Sequence, residues 1–598
     1  VLASTLAASA AFVALQSAGD DTLLVRGTRL DQLTRDAGTA VTVITAEDIR
    51  QLGTVFLADV LASVPGLTLN RAGSFGGAAS VRLRGASSGQ TLVLIDGVPA
   101  GDPSSPNGGS DIARLDAATI ERIEVLRGPQ ATLWGSEAIG GVILITTKRP
   151  QAGVSATAFA EAGSFSLARG GGSVAFSEGP VSGRIGGTLI SVDGPSKADR
   201  SQGNDETDPY RAANLQGALT YAFPGGGEAT LSYLLSDAET EFDGFDAAAP
   251  GFTSDTDDIA FTEEEVASLA VTRPAFGGRL ANQLVLGRTI IERENRLDGT
   301  TTFETRGERL TARYQGTVEA TGAVTLAFGA EADNREADGE ETTIASGFLL
   351  GELKPLPRLT LSAGLRLDTI EDGEDETSAR LAAAYRLGTA ITARASYGEG
   401  FKAPTLFQTT FACCGASEPN RDLAPERSTG TELGIRVEAP RLVADISVFH
   451  LDTENLIDFT GGRYVNIAEA ESRGFEFEAS LDLLSWLDVS TSYAFIEAED
   501  GEGNRLPRVP RHSGDATFSV TPQGPISGTL TIRHNGRESD PFGEVDAWTR
   551  LDLSAIYTLT DRIELYARVE NLTNRSYQEV LGYGTPERSG RVGVRLAL

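Results

Sequence analysis

From about residue 150 to the last residue the chain keeps a single rhythm. Segments of roughly ten residues alternate apolar with polar or small side chains, and Gly, Pro, Asn or Asp turns divide them. Leu359-Thr-Leu-Ser-Ala-Gly-Leu-Arg-Leu367, Ile391-Thr-Ala-Arg-Ala-Ser-Tyr397 and Phe475-Glu-Phe-Glu-Ala-Ser-Leu481 are examples. In the last one, Arg591 to Leu598, the side chains of Val592, Val594, Leu596 and Leu598 share one face. Neighbouring side chains of a strand point to opposite faces, so each segment has one apolar and one polar side. A soluble sandwich buries its apolar faces against each other and rarely repeats the pattern this long. A barrel with lipid outside and water inside requires it.

Length sets the size of that barrel. The roughly 450 residues after position 150, at about 20 per strand with its turn and share of loop, make about 22 strands. A barrel of that size encloses a lumen wide enough to hold a plug. Residues 29–148 supply a domain of another texture. Val41-Thr-Val-Ile-Thr45 reads as a strand, and Thr45 with Asp48 as a capping box opening a helix. Phe56, Leu57, Val60, Leu61 and Val64 fall at helical spacing until Pro65-Gly66 ends them. Val81 to Gly85, Thr91 to Val98, Ile120 to Gly128 and Gly141 to Thr147 read as further strands. The predicted fold is therefore membrane all-β: a 22-stranded antiparallel transmembrane β-barrel (149–598) with an N-terminal α/β plug domain (29–148) in its lumen.

Composition narrows the function. Of 598 residues, 83 are Asp or Glu against 51 Lys or Arg, a net charge of −32. So acidic a chain repels nucleic acid, which is not an expected partner. No segment beyond the first 20 residues is apolar for long enough to form a transmembrane helix. Residues 1–18 are apolar and small, and read as the remnant of a secretory signal peptide or as a short anchor helix. Residues 19–28 form a linker. The two cysteines are adjacent, Cys413 and Cys414, which excludes a disulfide scaffold or a Cys-rich metal centre. A bridge between them and two free thiols both stay open. No nucleophile–base set or phosphate-cradling loop emerges, and no enzyme is expected.

Several stretches together resemble the TonB-dependent outer-membrane receptors. They are Asp59-Val60-Leu61 with Val64-Pro-Gly66, Arg82-Leu-Arg-Gly85, Leu94-Ile-Asp-Gly-Val-Pro99, Ile120 to Pro129 and Trp134 to Val142. In the second part of the chain Gly400-Phe-Lys-Ala-Pro404, Asn420-Arg-Asp-Leu423 with Pro425-Glu426, and Val569 to Tyr577 continue the likeness in the family's order. Within that family the cobalamin (vitamin B12) branch is most similar, through Asp21 to Val25, Gly135 to Val142 and Tyr577 to Tyr583. Leu144 and the terminal Leu598 depart from the family pattern, where an Asn and an aromatic residue are usual.

The resemblance implies a monomeric receptor in outer-membrane lipid that imports a scarce nutrient, a cobalamin-type ligand, driven by TonB with ExbB and ExbD. A ferric-siderophore receptor is the alternative within the family. A secreted calcium-binding adhesin is the alternative outside it. By the same resemblance, Asp21, Thr22, Leu23, Leu24, Val25 and Arg26 form the TonB box, an extended segment able to add as a strand to a partner's sheet edge. An ordinary linker is the plainer reading. Ala78, Ser80, Ser87, Ser105 and Asn107 fall near the family's ligand contacts, in small polar loops that could equally be generic.

The stretch 191–265 is dense in carboxylates against Lys197, Arg200 and Arg211 alone before residue 265. Clustered carboxylates are the oxygen ligands Ca2+ takes. The resemblance puts Glu206, Asp208, Asp243 and Asp257, with Asp246 as an extra, nearest the ligand positions. A solvated acidic rim is the competing reading.

Overall fold

The computed structural model describes residues 24–30, 32–150, 152–245 and 253–598. Residues 1–23, where the sequence led us to expect a signal-peptide remnant and the first half of a TonB box, and Asp246 lie outside them.

Among the described residues, 22 strands close into one antiparallel barrel. Closure is made by the first barrel strand, Gly153–Gly163, against the last, Ser589–Ala597, with Thr157 opposite Ala597 and Gly163 opposite Arg591. The alternation read in the sequence is the alternation of the wall. On Glu376–Arg386, Ser378, Arg380 and Ala382 are buried toward the lumen, while Leu381 stays 60% exposed on the outside. Leu365, Leu349 and Leu433 are likewise exposed outward. An apolar exterior of this kind faces hydrocarbon, not water. Among the described residues no helix is long and apolar enough to cross a membrane.

The two ends of the barrel differ. At one end the turns between strands have two to five residues. At the other lie the long connections 193–209, 403–425, 501–511, 536–547 and 571–588. In outer-membrane barrels short turns face the periplasm and long loops face outside. The chain enters the barrel from the plug at the short-turn end.

The plug fills the lumen. Its sheet runs Val41–Thr45, Ile120–Arg127, Gly141–Thr147, Thr91–Ile95, Val98–Pro99 in spatial order, with the Thr91–Ile95 and Gly141–Thr147 pair parallel. A hairpin, Leu67–Arg71 with Ala79–Leu83, stands beside it. The helix Ala46–Leu52 starts at the expected capping box: the Asp48 amide donates to Thr45 Oγ1 at 3.3 Å, and the Thr45 amide donates back to Asp48 Oδ2 at 2.8 Å. The next helix, Leu57–Leu61, buries Leu57, Val60 and Leu61 against Leu83, Ile123 and Ile143. That core extends into the wall through Leu234 and Val266. Plug and barrel come so close at Gly430 that a Cβ there would meet Pro129 at 2.5 Å, which only glycine permits.

A charge placed on the lipid face has no partner there. Leu381→Arg is expected to destabilise the barrel by about 2–4 kcal/mol if Leu381 sits near the bilayer midplane. Urea unfolding in lipid vesicles measures it, and no loss of stability would place Leu381 away from lipid.

Candidate functional site

Residues 24–27, the described end of the segment expected to be a TonB box, are held, not loose. Leu24–Val25 pairs antiparallel with Gln32–Leu33, and Val25 is fully buried among Ala37, Val41 and Leu126. The amides of Arg26 and Gly27 both donate to Glu124 Oε2, at 2.9 and 3.0 Å. The Arg122 guanidinium donates to the Leu24 carbonyl. Trp134 Nε1 donates to the Gly27 carbonyl at 2.8 Å.

Arg29 then turns into the barrel wall. Its Nη2 lies 3.1 Å from Glu331 Oε2, and its guanidinium sits over Trp134 at 4.4 Å and Phe348 at 4.6 Å. Glu331 also receives Arg313 at 2.9 Å and Arg366 at 3.5 Å. Three cations on one buried anion leave Arg29 over-supplied with like charge. Burial first, and then the Arg313 charge, press its guanidinium well below the usual range. Sequence reading does not mark this pocket, because Arg29 and Glu331 are 302 positions apart.

The family-like plug motifs carry the other anchors. Arg84 donates to Glu476 Oε1 at 2.9 Å and Oε2 at 2.7 Å, and to Glu432 Oε2 at 2.7 Å. Arg127 reaches Glu476 at 3.2 Å. Lys402 and Glu426, from the paired barrel motifs, are register partners, and Glu426 accepts from plug Gln90 at 2.8 Å. The plug residue Glu137 receives Arg309 at 3.1 Å and Arg335 at 2.8 Å from the wall.

The predicted ligand residues fall on two neighbouring turns of the plug, around Ser87 and Ser105–Asn107, and on the hairpin that carries Ala78 and Ser80. Asn107 is exposed and donates to Ser88 Oγ at 2.9 Å, which ties the turn after half-buried Ser87 to the turn holding Ser105. Ser105 is itself nearly buried and turned to its own loop, donating to the Asp102 carbonyl at 3.0 Å. Ala78 is exposed and offers its carbonyl, which accepts from the Ala72 amide at 3.0 Å. Ser80 is half-buried in the hairpin opposite Asn70. Asn107 and Ala78 are thus the exposed members of the set, whereas Ser105 supports its own turn.

Of the predicted cation ligands, Glu206, Asp208 and Asp243 converge. One carboxylate oxygen of each lies within 4.8 Å of the others. Asp208 and Asp243 are buried, and Asp208 Oδ1 and Glu206 Oε1 have no hydrogen-bond partner among the described residues. Burial pushes Asp208 up to about 7, with the Asp243 charge adding to it. Burial, then Asp255, Asp208 and Asp243, push Glu206 up to about 7. Asp257 is exposed and stands outside this group. The ladder slips between Phe242 and Gly244, which leaves residues 255–257 without partners across it. Asp255, not among the expected ligands, lies close by: Ser196 Oγ is within hydrogen-bonding distance of it at 3.2 Å and of Asp243 at 3.1 Å.

The same loop rests on the plug. Lys197 is fully buried, its amide donates to Asp208 Oδ2 at 2.6 Å, and its side chain packs on Gly73. Ser74 Oγ donates to the Pro195 carbonyl at 3.1 Å. In loop 403–425 Cys413 and Cys414 are bonded to each other.

Two family descriptions match the chain. "TonB dependent receptor-like, beta-barrel" matches residues 157–572, and "TonB-dependent Receptor Plug Domain" matches 34–142. The chain belongs to the TonB-dependent receptors. Such receptors sit in the outer membrane of Gram-negative bacteria, take up ligands and work with TonB. Membership sets aside the secreted adhesin. Relatives named "Vitamin B12 transporter BtuB" are 26% identical: over 612 residues in Vibrio vulnificus, covering 95% of this chain and 94% of the relative, and over 596 residues in Photobacterium profundum, covering 96% and 95%.

Among solved structures, the siderophore receptor PirA from Acinetobacter baumannii superimposes with a TM-score of 0.80 at 19% identity, covering 94% of this chain and 99% of that one. The ferric enterobactin receptor PfeA from Pseudomonas aeruginosa, as its G324V mutant, gives 0.79 at 20%, covering 94% and 98%. At these identities the structures share the receptor's fold.

Neutralising the shared anion should free the N-terminal segment. Glu331→Gln leaves Arg29, Arg313 and Arg366 facing each other, and breaking such a buried pair costs about 3–5 kcal/mol. Hydrogen exchange should rise at the amides of residues 24–29 while the barrel strands stay protected. Unchanged exchange there would mean that Glu331 does not hold the segment.

Proposed function

We propose that this receptor imports a corrinoid of the cobalamin type, coupled to TonB with ExbB and ExbD. The observation that carries the reading is the full-length match to relatives named vitamin B12 transporters, spanning plug and barrel alike. Charge supports it. Anionic siderophores call for Arg and Lys in the mouth, whereas the loop 193–209 and the strand ends beside it are acidic. A ferric siderophore is the second reading, and direct competition separates the two.

The plug's own residues suggest how binding reaches the periplasm. A ligand meets the Asn107 and Ala78 turns from outside. Gln90, beside those turns, accepts the Gly140 amide on its carbonyl at 2.8 Å, and Gly140 in turn accepts from the Gly128 amide at 2.8 Å. Gly140 and Gly128 flank the strands Gly141–Thr147 and Ile120–Arg127, and the second strand carries Glu124 and Arg122, which hold Leu24 to Gly27. Small shifts at the ligand end are thereby passed to the clasp on the TonB box. Once free, the box adds to a sheet edge of TonB by main-chain hydrogen bonds.

Glu206, Asp208 and Asp243 are the residues we assign to Ca2+, a structural ion in the outer loops. Their chemistry fits: hard carboxylate oxygens close together, with a buried Asp208 oxygen that has no hydrogen-bond partner among the described residues. Because Lys197 and Pro195 of the same loop rest on the plug, an ion there would hold the mouth against the ligand turns.

Direct binding of cobalamin to the purified receptor tests both assignments. Affinity should fall at least tenfold on chelation of Ca2+, and Asp208→Asn with Asp243→Asn should bind weakly with or without the ion. Absence of cobalamin binding under every condition would end the corrinoid reading, and indifference to chelator would end the Ca2+ assignment. Leu24→Pro removes a ladder amide. It should leave cobalamin affinity intact and abolish uptake by cells; normal uptake would show that the box does not pair as a strand.

A further inference from the structure

Four aromatic rings gather in the barrel mouth, and neither the seating of the plug nor the acidic group uses them. Phe407 and Phe411 stack with ring centres 4.8 Å apart and 18° between planes. Tyr464 meets Phe407 edge-on at 6.2 Å. Phe459 meets Tyr464 at 5.1 Å and Phe411 at 5.9 Å. All four keep surface open: Phe459 is 40% exposed and the others are half-buried. A ring cluster that served only as the core of a loop would be closed over; open apolar surface beside a polar rim marks a place of contact.

The cluster sits within reach of the ligand end of the plug. The short helix Leu406–Thr410 lies against Val324–Ala337 and Glu340–Leu356 on one side and Arg463–Leu484 on the other, so it crosses the mouth. It is rooted on the plug, because Thr405 Oγ1 donates to the Pro106 carbonyl at 3.2 Å. Leu406 and Gln408 are buried beneath it, which leaves Phe407 and Phe411 on the open side. The Cys413 amide donates to the Gly462 carbonyl at 2.8 Å, and Asn420 Nδ2 donates to the Tyr464 carbonyl at 3.2 Å. These bonds fix the loop to the hairpin that bears Phe459 and Tyr464, so the rings are placed before any ligand arrives.

We propose that Phe407, Phe411, Phe459 and Tyr464 form an aromatic subsite that stacks an aromatic ring carried by the transported ligand, while the exposed Pro106–Asn107 turn meets its polar edge. The subsite rests on the reading of the chain as an import receptor with its ligand at the plug apex, and not on which ligand that is. Stacked or edge-on rings 4.5–7 Å apart attract beyond simple burial. The ligand class is therefore one with a flat aromatic group beside hydrogen-bonding amides or hydroxyls.

Four probes test it on the purified full-length receptor. Cobalamin carries an aromatic base and cobinamide lacks it. A ferric tricatecholate carries aromatic rings and a ferric trihydroxamate has none. Phe407→Leu with Phe411→Leu keeps apolar bulk but removes the ring faces, and exchange at the Cys413 amide reports whether the loop stays docked. The double variant should lose about tenfold in affinity for whichever ring-bearing probe the wild type binds, and nothing for its ring-free counterpart.

Equal loss for both members of a pair, no loss for the ring-bearing member, or a wild type that binds neither ring-bearing probe overturns the subsite. If the Leu pair undocks the loop, Tyr464→Leu alone is held to the same outcomes. Ring-dependent binding of the catecholate without cobalamin binding would sink the corrinoid reading and leave the subsite standing.

Discussion

The inner wall of the barrel holds carboxylates that water cannot reach, and they decide where everything else sits. Glu432 and Glu476 are almost fully buried and converge on Arg84, with Arg127 joining at Glu476. Glu331 does the same for Arg29. A buried anion without its cation is strongly unfavourable, so each such group accepts one placement of its partner and rejects neighbouring ones. An apolar interface would let the plug slide or rotate in the lumen. A few charge pairs at fixed depths give it one orientation.

The same pairs separate two tasks. Arg84 and Arg127 fasten the body of the plug to one part of the wall, whereas Arg29 fastens only the N-terminal segment ahead of it. Glu331 keeps Arg313 and Arg366 when Arg29 leaves, so releasing that segment strands no buried anion. The segment can come away while the body stays seated. This makes a ligand-triggered release compatible with a plug that otherwise stays in place.

Much of the architecture was legible because it rests on local patterns. The two-residue rhythm of Leu359–Ile370 and Ile391–Lys402 states which face meets lipid, and the capping box at Thr45 and Asp48 is formed by residues three apart. The strand number followed from chain length alone. What stayed hidden is what depends on long-range placement. Nothing near Arg84 in sequence announces Glu476, 392 positions away.

The acidic stretch is an intermediate case. Composition marked the stretch, and the family resemblance pointed to Glu206, Asp208 and Asp243, which converge, and to Asp257, which is exposed and stands apart. The Phe407–Phe411 spacing of one helical turn was a visible signal. It gains meaning only once Phe459 and Tyr464, from a separate hairpin, are seen beside it.

The central claim is that inner-wall carboxylates, and not apolar packing, seat the plug. Hydrogen exchange of a Glu432→Gln, Glu476→Gln receptor tests it most directly. The account predicts barrel strands as protected as in the parent chain, with protection lost across Ala79–Leu83 and Ile120–Arg127 in the plug. Full protection of those plug strands in the double variant would contradict it.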